Sequence, residues 1–159
     1  MPRTPRVLIE KSCYHVISRG NQKQIVFFED EDYMQYLGLL RRYKLKYPTK
    51  IYAYCLMNNH VHLMLDPSQK DFLTKVMHGL NLCYSRWFNE KYEKCGHLWQ
   101  DRYKSYVIQK EDYLLDCLNY IEHNPVRSKI TLHANEYPWS SYPSRILGER
   151  DKLTDTIRV

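Results

Sequence analysis

Two histidines separated by one residue are the feature of this sequence best suited to binding a metal ion. Residues 60–65 read HVHLML, and apolar residues at alternate positions predict a β-strand. Side chains alternate between the two faces of a strand, so His60 and His62 point to one side and Val61 to the other. Imidazoles about 6.5–7 Å apart along a strand can converge on one divalent cation such as Mn²⁺, Mg²⁺ or Zn²⁺. The pair alone also fits two histidines that line a polar face.

A tyrosine and an asparagine one helical turn apart form the second chemical feature. Residues 111–124 are predicted as a helix that Pro125 ends. Tyr120 and Asn124 stand at positions i and i+4, so they present a phenol and an amide oxygen side by side. Alternatively, Tyr120 is a packing residue at the edge of the apolar stripe. That predicted buried stripe consists of Leu114, Leu115, Leu118 and Ile121.

Basic and aromatic residues alternate in residues 99–106, which read WQDRYKSY. On a strand this alternation places Arg102 and Lys104 on one face, with Tyr103 and Ser105 on the other. Basic side chains neutralise phosphates, and exposed aromatic rings stack on unpaired bases. The same pattern fits an edge strand whose basic side chains extend into solvent.

The elements that must position these residues follow the order β-α-β-β-α-β-α. Residues 57–59 predict a hairpin turn, and the strands are too few and too hairpin-linked for a doubly wound parallel sheet. We therefore predict an α+β fold of the ferredoxin-like type, with a mainly antiparallel four-stranded sheet covered by helices. The predicted strands are 13–19, 51–56, 60–65 and 102–109, and the predicted helices are 30–47, 72–92 and 111–124.

The length of 159 residues predicts a single domain over residues 1–159. The chain from about residue 128 lacks periodicity, and we expect 128–159 to be a C-terminal extension of that domain. Within it, the aromatic segment 137–142 is predicted to pack back on the rest of the chain.

Composition narrows the class of partner and the compartment. The formal net charge of +6 suits an anionic partner, and only 5 glycines argue against a Gly-rich phosphate-binding loop. Five cysteines exclude a complete set of intrachain disulfides, and no C-x-x-C spacing suggests a four-cysteine zinc site. No segment is long and apolar enough to span a bilayer, and no signal peptide is recognisable. We expect a cytoplasmic protein with reduced thiols and no membrane partner.

Four segments in order resemble motifs of the single-tyrosine HUH transposases, and specifically the branch of REP-associated tyrosine transposases. Residues 14–21 (YHVISRGN) resemble the opening strand and turn, and residues 57–62 (MNNHVH) the His-hydrophobic-His motif. Residues 96–103 (GHLWQDRY) and 112–127 resemble the later loop and the catalytic helix with its exit. The resemblance covers roughly residues 8–145.

The resemblance implies a metal-dependent single-stranded DNA endonuclease and strand transferase that cleaves hairpin-containing DNA through a 5′-phosphotyrosine. Tyr120 then corresponds to the nucleophile, and His60 and His62 correspond to ligands of Mg²⁺ or Mn²⁺. Asn124 corresponds to the polar ligand one turn after the tyrosine, where some relatives have Gln. A phenol has a pKa near 10, so it can also leave when a 3′-hydroxyl attacks the phosphotyrosine.

The resemblance also implies a hairpin DNA partner, a nucleoid location when DNA is bound, and a possible homodimer. Other interpretations are a domesticated hairpin nucleic-acid-binding protein without cleavage activity and a structural metal-binding domain. The latter would need a closed four-ligand set, which the cysteine spacing does not supply. The residues predicted to contact DNA are Arg19, Asn21, Trp99, Arg102, Lys104 and Arg127.

Overall fold

A four-stranded antiparallel sheet lies at the centre of the chain. The computed structural model describes residues 4–109, 111–148 and 153–157, and the strand order within this part is β2-β3-β1-β4. Every neighbouring pair is antiparallel, which confirms the predicted ferredoxin-like α+β fold. The strands are β1 (Cys13–Arg19), β2 (Thr49–Leu56), β3 (His60–Pro67) and β4 (Lys104–Ile108).

Helices cover both faces of the sheet. The two longest, α1 and α2, pack on one face, and α3 packs on the other face against β2, β3 and β4. The remaining helices, α4 and α5, follow α3 in the C-terminal part of the chain. The helices are α1 (Asp30–Lys46), α2 (Phe72–Lys91), α3 (Glu111–Glu122), α4 (Asn124–Arg127) and α5 (Tyr142–Leu147), with 3₁₀ turns at Asn21–Lys23 and Ala134–Glu136.

Alternation along β3 divides its side chains between the two faces of the sheet. Val61 and Leu63 are buried in the core beneath α1 and α2. Met64 belongs to the smaller core beneath α3, and His62 contacts Tyr120 of α3. The apolar residues of β3 thus anchor the strand to the main core, and its histidines are directed to the α3 side.

Three sequence predictions about this region are wrong in detail. Helix α3 ends at Glu122 rather than at residue 124, because Pro125 lacks an N–H and its ring would clash with the preceding turn. Strand β4 begins at Lys104, so Arg102 lies in the loop before it. Leu115 is 48% exposed, whereas Glu122, which shares its side of the helix, is fully buried. Ser141 and Arg145, from the C-terminal part of the chain, cover this side of α3 at Glu122.

Residues 137–141 run along the outer edge of β2. Leu56 N donates to Trp139 O (2.8 Å) and Ser141 N donates to Tyr54 O (3.0 Å). The Tyr137 hydroxyl donates to Leu56 O (2.5 Å). These bonds pair the backbone groups of β2 that would otherwise face solvent, and they place the segment beside the end of α3.

The buried carboxylate of Glu122 joins α3 to this segment. It accepts hydrogen bonds from Ser141 Oγ (2.7 Å) and from two guanidinium nitrogens of Arg145 in α5. Ser141 Oγ also accepts a hydrogen bond from Tyr54 N in β2 (3.0 Å). One side chain thereby ties the C-terminal end of α3 to both β2 and α5.

No helix in the described ranges has the length and apolar character needed to cross a membrane.

Candidate active site

The turn between β2 and β3 fixes the first of the predicted metal ligands. Gly20 N donates to Asn59 O (2.8 Å), which holds this turn against the end of β1. A Cβ on Gly20 would lie 2.3 Å from Gln24 O, so the close approach of these backbones requires glycine. Asn59 Oδ1 accepts a hydrogen bond from His60 Nδ1 (2.6 Å). This bond leaves the lone pair of His60 on Nε2.

The second predicted ligand has a partner that the sequence prediction missed. His62 Nδ1 lies 2.9 Å from His15 Nε2, and the two rings stack with centroids 5.1 Å apart. The ring of His60 lies at the same centroid distance from that of His62, in an edge-on arrangement. Three imidazoles from β1 and β3 thus form one contiguous group. The alternation of β1 could have suggested His15, but only the pairing of β1 with β3 shows that it reaches His62.

Burial keeps these imidazoles neutral. Loss of hydration lowers the pKa of His15 and of His60 to about 4, and the nearby charge of Arg19 adds to the effect at His60. Burial also lowers the pKa of His62 to about 3, with further contributions from His15, His60 and the charges of Arg19 and Arg127. At neutral pH each ring therefore retains the unprotonated nitrogen that a metal ion requires.

The ring of Tyr120 stands edge-on to this group. Its centroid is 6.1 Å from that of His15 and 6.2 Å from that of His62. Tyr120 is 50% exposed, so an external substrate can reach it. The guanidinium of Arg127 lies 3.8 Å above the Tyr120 ring and donates to the Tyr120 carbonyl oxygen (2.6 Å). The histidines, the phenol and a cation all come from a single chain.

Asn124 follows Tyr120 by one turn but lies beyond the end of α3. The residue is buried, and its Oδ1 accepts a hydrogen bond from Ser128 Oγ (3.3 Å). An amide oxygen has two lone pairs, so this bond leaves one for another partner.

The donor set fits a divalent cation held by few protein ligands. His60 and His62 each have Nδ1 within hydrogen-bond distance of a neighbouring side chain, an arrangement that is usual for histidine at a metal. Within residues 4–109, 111–148 and 153–157, no cluster of three or more His, Cys, Asp or Glu side chains could hold a metal ion. The residues thus suit an ion that keeps several ligands from water or substrate, rather than a closed structural site.

Three of the predicted DNA contacts lie around this site. Arg19 pairs with His60 across the ladder of β1 and β3 and is exposed. Lys104 is exposed and lies opposite Ile17, the residue that pairs with His62. Together with Arg127, which lies on the Tyr120 ring, these side chains place positive charge near the histidines and Tyr120.

The other three predicted contacts lie in the turn after β1 and in the loop 96–103. Asn21 donates its backbone N–H to Leu98 O (2.7 Å), which joins the first turn to the loop 96–103. Trp99 packs its ring near Tyr84 and donates Nε1–H to Asn81 O (3.2 Å), so it serves the core. Trp99 and Arg102 line a cleft of about 600 Å³ between α2 and this loop. The sequence prediction that Arg102 and Lys104 share a face is therefore wrong.

A second cleft, which the sequence prediction missed, opens beside Tyr120. Its volume is about 530 Å³, and it lies between β4 and α3. His15, Tyr120 and the exposed rings of Tyr106 and Tyr113 are among the residues that line it. The aromatic content of the two segments was visible in the sequence, but the cleft depends on how α3 crosses the sheet.

Comparison with known proteins gives a family match over most of the chain. The family model for IS200-like transposases matches residues 9–124. A Haemophilus influenzae protein assigned as a REP-associated tyrosine transposase is 25% identical, and the match spans 65% of this chain and 64% of that protein. The match thus covers less than two-thirds of that relative's length.

Two solved structures share the fold. One is a REP-associated tyrosine transposase bound to a REP hairpin, with a TM-score of 0.77 and 15% identity over the whole of both chains. The other is a Deinococcus radiodurans R1 protein assigned as a transposase, with a TM-score of 0.52 and 20% identity. That match covers 77% of this chain and 97% of the other.

Proposed function

Because this chain belongs to the IS200-like transposase family, we propose that it cleaves and rejoins single-stranded DNA that carries a hairpin. The observation that carries the proposal is the position of Tyr120, whose ring lies 6.2 Å from that of His62 in the same chain. A nucleophile and a metal-ligating pair are the two groups that such a reaction needs, and neither requires a second subunit here.

Metal binding is the first part of the proposal. Mg²⁺ or Mn²⁺ held by His60, His62 and Asn124 would withdraw charge from a phosphate oxygen and make phosphorus easier to attack. The hydrogen bond from His60 Nδ1 to Asn59 Oδ1, which leaves the His60 lone pair on Nε2, supports this assignment. Asn124 can contribute its second lone pair while it keeps the hydrogen bond from Ser128.

Tyr120 supplies the nucleophile. Its phenolic oxygen forms a bond to phosphorus while the bond between phosphorus and the 3′ oxygen breaks, and the phenolic proton ends on the departing 3′ oxygen. The products are a 5′-phosphotyrosine and a free 3′-hydroxyl. Attack by another 3′-hydroxyl reverses the step and restores the phenol. The phosphodiester bond is exchanged rather than hydrolysed, so joining needs no nucleotide cofactor.

The surrounding positive charge supports a DNA substrate. Arg127 lies over the Tyr120 ring and Arg19 beside His60, where they can neutralise the phosphate that is attacked and its neighbours. We assign hairpin DNA because the structural relative of the same fold is bound to a REP hairpin. The cleft that contains Trp99 and Arg102 is a second contact region for that DNA.

The decisive experiment is capture of the covalent intermediate. Wild-type protein incubated with Mn²⁺ and a labelled single-stranded hairpin should give a protein–DNA adduct that survives denaturation. Tyr120→Phe should lose the adduct and keep DNA binding, whereas Tyr113→Phe, on the same helix and similarly exposed, should keep both. The double variant His60→Ala with His62→Ala should bind DNA without cleaving it.

Each contrary result has a distinct meaning. An adduct that persists in Tyr120→Phe would assign the nucleophile to another residue. Tight hairpin binding by wild type with no adduct under any divalent cation would identify a binding protein without cleavage activity. Full cleavage by the double histidine variant would remove the metal assignment.

A further inference from the structure

We infer that His15 is a positioning residue, which accepts a hydrogen bond from His62 Nδ1 and so aims His62 Nε2 at the metal ion. The inference rests on the proposed function, in which His62 is a metal ligand. It adds to the active site a residue on β1, outside the His-x-His pair and outside the helix of the nucleophile.

The strand register places the two rings in contact. His15 pairs with Met64 and His62 with Ile17 in the ladder of β1 and β3, so the histidines are diagonal neighbours on the same face. Their rings stack with an interplanar angle of 27°, and His15 Nε2 lies 2.9 Å from His62 Nδ1. At this distance one of the two nitrogens must donate and the other accept.

The direction of this bond follows from the role of His62. A neutral imidazole that binds a metal through Nε2 carries its proton on Nδ1. His62 must therefore donate and His15 must accept. The matching bond from His60 Nδ1 to Asn59 Oδ1 has the same direction, because an amide oxygen can only accept. Each ligand thus has its own neighbour that sets its tautomer and the plane of its ring.

The position of His15 also links the ligand to the nucleophile. Its ring lies 6.1 Å from the Tyr120 ring and 6.2 Å from the Tyr106 ring, so it fills the space between β4, α3 and the metal-binding pair. A small replacement would free His62 to rotate, whereas an apolar ring of similar size would keep the packing and remove only the acceptor. Phe and Gln replacements therefore separate packing from hydrogen bonding.

The tautomer of His62 tests the inference on the metal-free protein. Nitrogen-15 spectra of the histidine rings at pH 7.5 should show His62 protonated on Nδ1 in wild type. In His15→Phe the His62 proton should move to Nε2, and in His15→Gln, whose amide oxygen can accept, it should stay on Nδ1. A wild-type His62 protonated on Nε2 would overturn the inference whether or not the protein cleaves DNA.

Metal affinity supplies the second measurement. Titration of Mn²⁺ without DNA should show an affinity about 10- to 100-fold weaker in His15→Phe, with most of the affinity restored in His15→Gln. Equal affinity in wild type and His15→Phe would overturn the positioning role while wild-type cleavage still upheld the proposed function. Equal loss in both variants, with lowered melting temperatures, would assign His15 to packing instead.

Discussion

The carboxylate of Glu122 is fully buried and is held by the guanidinium of Arg145 through two nitrogens. Glu122 stands two residues after Tyr120, so this pair fixes the end of the helix that carries the proposed nucleophile. Hydrogen bonds to the Glu122 carboxylate raise the pKa of Arg145. An arginine side chain is not deprotonated in proteins, so Arg145 stays charged.

Removal of the arginine should therefore destabilise the protein and loosen the end of α3. Arg145→Met leaves a carboxylate buried without its counter-ion. Because the Arg145 side chain is itself 37% exposed, solvent screens the pair, and we expect a loss of about 2–3 kcal/mol in the free energy of unfolding. Adduct formation with hairpin DNA should fall as well, because Tyr120 loses its fixed position. Urea unfolding measures the first effect, with Arg41→Met on the exposed face of α1 as the control. A change no larger than that of the control would contradict this role.

Asp32 gives the folded state a dependence on pH. Burial alone would raise the pKa of this carboxyl, but hydrogen bonds from Lys91, Tyr92 and the N–H groups of Phe28 and Glu29 outweigh burial and lower it. A depressed carboxyl pKa stabilises the fold above the unfolded value near 4 and loses that contribution as the pH falls through the folded value.

Asp32→Asn should accordingly cost about 2 kcal/mol at pH 7, and the cost should shrink below about pH 4. Urea unfolding of both proteins at pH 7, 5 and 3.5 measures the difference. If the gap between wild type and variant were the same at all three values, the ionised carboxylate would not be the stabilising form.

Gly20 should tolerate no side chain, because an added Cβ would lie 2.3 Å from the Gln24 carbonyl oxygen. Gly20→Ala must displace the turn that holds Asn59 and, through it, His60. We expect a loss of about 1–3 kcal/mol and weaker Mn²⁺ binding. Gly38→Ala in the exposed middle of α1, where nothing lies within 4 Å, should instead stabilise by about 0.5–1 kcal/mol. Thermal melts and Mn²⁺ titrations of the two variants test this prediction. Equal melting temperatures and equal Mn²⁺ affinities in Gly20→Ala and Gly38→Ala would contradict it.

Two arginines should differ in how they affect the reaction. Arg127 lies on the Tyr120 ring, so Arg127→Ala should reduce the rate of adduct formation more than it reduces hairpin binding. Arg102 lies in the cleft between α2 and the loop 96–103, so Arg102→Ala should weaken binding and lower the salt slope of the affinity by about 1. When the Arg102→Ala protein is in saturating excess over the DNA, its rate of adduct formation should match that of wild type. Binding curves at several salt concentrations and single-turnover rates distinguish the two roles, and identical profiles would rule them out.

Local patterns in the sequence predicted the parts of the site that depend on one element. The period of a strand alone places His60 and His62 on the same face and Val61 on the other. A helix that Pro125 ends places Tyr120 near its C-terminus, and the order of elements predicted the sheet. These features depend on neighbours within a few residues, so the sequence carries them directly.

The parts that were missed depend on how distant segments meet. His15 reaches His62 only through the register of β1 with β3, which no local pattern specifies. The exposure of Leu115 and the burial of Glu122 depend on where the C-terminal segment lies along α3. The bulge at Tyr52 likewise turns both Tyr52 and Ala53 towards α3, without a glycine to mark it.

The C-terminal residues on the outer edge of β2 also prevent a further strand from pairing with this edge of the sheet. Ile51, Tyr54 and Leu56 all satisfy their backbone groups through residues 137–141 and Asp155. A strand from another molecule could pair with β2 only after residues 137–141 were displaced. That displacement would break the hydrogen bond from Ser141 to Glu122. Strand addition at this edge would thus also remove one of the contacts that hold the C-terminal end of α3, so a preparation that oligomerises through β2 should form less adduct with hairpin DNA.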